Sequence, residues 1–166
     1  KNHVKLYVNR VFISEITKDL IPAYLRFLRG VVDSQDLSLN ISREMLQTDP
    51  QLAKIKTSIT KKVLSELKKK ANKAPDEYAT FWGNFGTVLK EGLVEDVALR
   101  DRILELCRFA FSGSGDLTSL TDYVSRMKEG QEAIFYIAGE DAAKLAQSPH
   151  LEGFKAKGVE VLLLSD

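Results

Sequence analysis

Residues 133–164, AIFYIAGEDAAKLAQSPHLEGFKAKGVEVLLL, decide the fold class. The runs 133–138 (AIFYIA) and 159–164 (VEVLLL) are short, apolar and bounded by glycine and charged residues, as buried strands are. Between them Asp141 opens a helix that reaches Gln147, and the Ser148-Pro149 pair caps another. Two strands joined through helices are expected to lie parallel with a right-handed crossover, which makes this part of the chain an α/β layer.

Working back toward the start, Ser119 and Asp122 have capping-box spacing ahead of Tyr123, Val124 and Met127, after a turn at 113–116 (GSGD). Leu99, Ile103, Cys107 and Ala110 mark a helix, and Pro75 begins another with Tyr78, Phe81, Trp82, Phe85 and Leu89 on one face. Asp49-Pro50 starts a long amphipathic helix that ends near Asn72, its stripe being Leu52, Ile55, Ile59, Val63 and Leu67. Before it, 31–39 (VVDSQDLSL) is a loop, because Asp33, Ser34 and Asp36 favour side-chain-to-backbone turns. Pro22 opens a helix running through Leu25 and Leu28 to Gly30, and 4–13 alternates as a strand whose phase breaks at Phe12, consistent with a bulge.

The chain has 166 residues, 44% hydrophobic and 28% charged, the balance of an ordinary globular protein able to bury roughly 70% of its unfolded surface. Lysine and arginine total 24 against 23 acids, so no overall field draws nucleic acid or acidic lipid, and no apolar run has the length of a membrane span. The one cysteine, Cys107, makes neither an internal disulfide nor a thiolate cluster, which agrees with a cytoplasmic setting. The opening residues carry no signal pattern and enter a strand almost at once, while the last residues stop just after one. Both ends read as cuts within a longer chain.

No self-contained catalytic site is legible. His3 and His150 stand apart from any nucleophile, zinc spacings are absent, and the glycines at 83–86 and 113–115 lack a phosphate-loop context. Cys107 reads as a small buried hydrophobe and the Trp82 stripe as core. The densest charge lies at 54–73, with eight lysines facing the single acid Glu66. Such a helix offers an alternative reading, a non-enzymatic module that binds nucleic acid or an acidic protein, although lysines interleaved with an apolar stripe also describe any solvated helix face. Arg43 differs in kind: its planar, permanently charged fork suits phosphate oxygens, and Ser42 can cap the helical turn that carries it. Gln47 shares that face, and a structural pairing of Arg43 with Glu44 or Asp36 stays open.

Taken together, VKLYVNRVFI, PAYLRFLRGVVDSQDLSLNISREMLQ, FWGNFGTVLKEG, SLTDYVSRMKEGQ, FYIAGE and SPHLEGFKAKGVEVLLLSD resemble, in order and at compatible spacing, the heat-shock protein 90 family of molecular chaperones, bacterial HtpG type. The resemblance implies a fragment of the middle domain: two α/β units joined by a short helical connector, with the first unit truncated. It divides the chain into 1–72, the C-terminal part of the larger α/β unit with the arginine loop and long helix; 73–111, the connector; and 112–166, the smaller α/β unit. It also implies that Arg43 reaches the γ-phosphate of ATP bound with Mg²⁺ in an N-terminal domain outside this chain, that Gln47 belongs to the same catalytic loop and that Asn40 shapes it. Implied partners are client proteins, the N-terminal ATPase domain, the C-terminal dimerisation domain and a second copy of the full-length chain, with neither nucleic acid nor membrane. By itself the fragment is expected to hold no cofactor and to be inactive as an ATPase. Asn9 departs from the family pattern, which has a basic residue there.

Overall fold

The computed structural model describes residues 4–15, 20–37 and 49–165. Contacts divide the chain into two compact units, one reaching Ile103 and the other starting at Leu104.

In the first unit, β1 (Val4–Val8) pairs antiparallel with β2 (Val11–Ser14) and parallel with β3 (Gly30–Ser34), giving the order β2-β1-β3. Alternation places Val4, Leu6 and Val8 on the buried face, each 4% exposed or less. The stretch 4–13 is therefore a hairpin rather than one strand. Val8 faces Val11, which leaves Asn9 and Arg10 as a two-residue turn with φ of 46° and 67°. Positive φ at both central positions matches the twist of the flanking strands, and asparagine tolerates it better than most residues. The register also shifts between Leu6 and Tyr7, so an irregularity of the kind read from the sequence is present within the hairpin.

The helix expected from Pro22 to Gly30 is a single 3₁₀ turn, Ala23–Leu25. Tertiary contacts override the local pattern here. Tyr24 and Leu25 are both fully buried, Arg26 forks onto the Glu91 carboxylate at 2.6 and 2.9 Å, and Phe27 stacks on Phe85 with ring centroids 4.9 Å apart. Gly30 then enters β3 at φ 150°, a value comfortable only for glycine.

The long helix α1 (Pro50–Lys73) and its successor α2 (Pro75–Lys90) begin at the expected prolines and pack on each other, burying Leu52 and Leu64 from one and Tyr78, Trp82 and Leu89 from the other. A short helix, α3 (Gly92–Glu95), follows and packs against α2 and the Ala23–Leu25 turn. The Tyr24 hydroxyl donates to Asp96 at 2.7 Å; burial, and then that carboxylate, push the phenol well above its ordinary pKa, so it remains a donor.

Helix α4 (Arg100–Leu106) stops earlier than the 99–110 periodicity predicts. Arg108 donates to the carbonyls of Glu105 and Cys107, and Phe109, Ala110 and Phe111 form β4 instead. That strand lies between β5 (Ser114–Thr118) and β7 (Val161–Leu164), with β6 (Phe135–Ala138) beyond, in the order β5-β4-β7-β6. Ladder hydrogen bonds on both edges outweigh a helical phase carried by two residues, Cys107 and Ala110. The residues at 113–116 turn only at the start and then join β5.

β6 and β7 are parallel, as the sequence requires. Helix α5 (Leu120–Ser125) is capped by Ser119, whose hydroxyl accepts the Asp122 N–H. Helices α6 (Ala142–Ala146) and α7 (Glu152–Ala156) lie along the crossover between β6 and β7, and Leu151, Val161 and Leu163 form a core with Ile137, Leu145 and Phe154. The α/β class holds in both units. The Tyr123 hydroxyl ties this unit together, donating to the Glu160 carbonyl at 2.6 Å and accepting from the Gln131 amide and the Phe135 N–H.

Two stability predictions follow from these contacts. A Cβ at Gly92 would lie 2.8 Å from Ile103 Cδ1 and 2.9 Å from the Tyr24 ring, both side chains fully buried. Gly92→Ala, at the first position of a one-turn helix where propensity matters little, is expected to lower unfolding free energy by about 1–3 kcal/mol in urea titration. Tyr123→Phe strands three hydrogen-bonding partners and is expected to cost about 1–3 kcal/mol in the same measurement, with near-native secondary structure by circular dichroism.

Candidate functional site

The segment 38–48, which contains Asn40, Arg43 and Gln47, lies outside the described residues; Leu37 before it and Asp49 after it lie within them. At the entry, β3 delivers the chain through Asp33, Ser34 and Asp36 to Leu37, which is 4% exposed. Three hydrogen bonds hold this root. The Asn9 N–H donates to the Ser34 carbonyl at 3.0 Å, the Arg10 N–H donates to Asp33 Oδ1 at 3.0 Å, and the Asp36 N–H donates to Ser34 Oγ at 3.2 Å. The last is a side-chain-to-backbone turn of the kind read in the sequence, but the loop expected over 31–39 is strand as far as Ser34, because pairing with β1 outweighs the local turn preference of Asp33 and Ser34. The pairing of Arg10 with Asp33 was not legible, because 23 residues separate the partners and β1 alone brings them together.

At the exit, Asp49 is extended (φ −77°, ψ 119°) and its carboxylate accepts the Gln51 N–H at 2.8 Å, while Pro50 fills the first helical position. Leu52 is 2% exposed and pins the first turn of α1. Backbone, cap and core thus hold the chain at Leu37 and at Asp49.

Along α1 the lysines project outward. Glu66 lies 3.1 Å from Lys62 and 3.4 Å from Lys69, and the Lys62 hydrogen bond, followed by the charge of Lys69, lowers its carboxyl pKa. Lys70 approaches Glu77 at 3.9 Å. These pairs are exposed, so solvent and salt screen them. One face of α1 presents Lys56, Thr57, Thr60 and Lys61 to a cleft of about 340 Å³, opposite Pro22 and Asp96. The walls carry both signs of charge, and the Asp96 carboxylate already accepts from the Tyr24 hydroxyl and the Leu99 N–H.

The remaining candidates take structural places. Cys107 is fully buried, Trp82 is 7% exposed, and Gly86 packs so closely on the Trp82 indole that a Cβ would meet it at 2.7 Å. His150 is exposed, whereas His3 lies outside the described residues. Among the described residues no group of three or more histidine, cysteine, aspartate or glutamate side chains is arranged to hold a metal, and no helix is long and apolar enough to cross a membrane.

The family model of the Hsp90 protein matches residues 1–166. The chain belongs to the Hsp90 family. Among curated Hsp90 relatives it is 80% identical to the chaperone protein HtpG of Roseobacter denitrificans over its whole length and 60% identical to HtpG of Paramagnetospirillum magneticum. It spans 27% of the length of each. Among solved Hsp90-type structures, the middle domain of a Plasmodium falciparum heat shock protein superposes with a TM-score of 0.84 at 37% identity, covering 99% of this chain and 63% of that one. The mixed α/β architecture described above is thus that of an Hsp90 middle domain.

The helix cap at the exit is open to direct test. Asp49→Ala is expected to lower stability by about 0.5–2 kcal/mol in urea titration, with Asp49→Ser retaining most of it.

Proposed function

We propose that this chain is the central part of an ATP-dependent molecular chaperone that assists protein folding, and that the segment 38–48 presents Arg43 to the γ-phosphate of ATP held by an N-terminal domain. One observation carries the reading: the family match over residues 1–166 includes LNISREMLQ at 39–47, which bears one permanently charged fork, Arg43. The anchored ends at Leu37 and Asp49 agree with a segment whose one arginine must arrive at a defined point.

In this scheme ATP with Mg²⁺ is the substrate and is bound mainly outside this chain. The Arg43 guanidinium supplies positive charge where charge develops on the transferring phosphoryl oxygens, Gln47 supports the same loop in catalysis, and Asn40 shapes it. Catalysis is conditional on docking of the nucleotide domain, so the isolated chain is inactive and the full-length protein is a slow ATPase. The helices of 73–111 connect the larger unit, 1–72, to the smaller, 112–166, with β4 contributing to the second sheet. The complete protein works in the cytoplasm as a homodimer through a C-terminal dimerisation domain and acts on client proteins.

In the full-length protein, Arg43→Ala is expected to retain ATP affinity while steady-state turnover falls by about tenfold or more, with closure of the chaperone setting how much of an arginine's larger potential is seen. Equal turnover in the two proteins overturns the catalytic role.

A further inference from the structure

We draw no further inference here: the strongest candidate, the apolar patch at the outer edge of β6 in the second unit, where Ile134, Phe135 and Tyr136 are 39%, 37% and 66% exposed, carries none because nothing among the described residues shows what covers it.

Discussion

Strand β1 is paired on both edges, and much of the first unit follows from that. A central strand fixes its neighbours at once: β2 by the antiparallel return through Asn9 and Arg10, and β3 by five parallel register positions from Val4 opposite Gly30 to Val8 opposite Ser34. The turn that ends β1 therefore arrives beside the C-terminal end of β3. Its N–H groups, already committed to a positive-φ geometry, find acceptors at Asp33 and Ser34. Buried Val4, Leu6 and Val8 make this register hard to slip, since a shift by one residue would send all three to the outer face.

The second unit uses a different constraint toward the same end. Its parallel pair β6 and β7 needs a long crossover, and α6, α7 and the Pro149–Leu151 turn between them supply the apolar residues that cover one face. The other connections are bound by polar groups. Tyr123 bridges Glu160, Gln131 and Phe135, while Arg126 pairs with Glu160 at 2.9 Å, donates to the Thr118 hydroxyl and lies over the Phe111 ring. Where a small unit has few large side chains to bury, such satisfied polar bonds specify a single arrangement.

Charge plays a lesser part in shape. The lysines of α1 lie along a solvated face with Glu66 and Glu77 as near neighbours, and pairs of this exposure are screened. The Arg26–Glu91 pair is also exposed, yet it joins the turn after Pro22 to the end of α2 across 65 residues, which makes it a register mark more than a source of stability.

The elements legible in the sequence were those whose signals are local: the Asp49-Pro50 and Pro75 helix starts, the 3.6-residue stripe of Tyr78, Trp82 and Leu89, the Ser119 cap, and the two apolar runs that became β6 and β7. Arg43 is singled out by its chemistry and by the family resemblance, and it lies outside the described residues. Tertiary structure alone decided that 4–13 doubles back, that the chain after Pro22 makes one turn and not a helix, that helix yields to strand after Leu106, and that Ser114–Thr118 is a strand despite its serine, glycine and aspartate. Each of these depends on a partner distant in sequence, which local propensity of a few tenths of a kilocalorie per residue does not encode. The same holds for Asp33, which reads as a loop aspartate by sequence: it lies in β3 and accepts the Arg10 N–H because β1 pairs with β3.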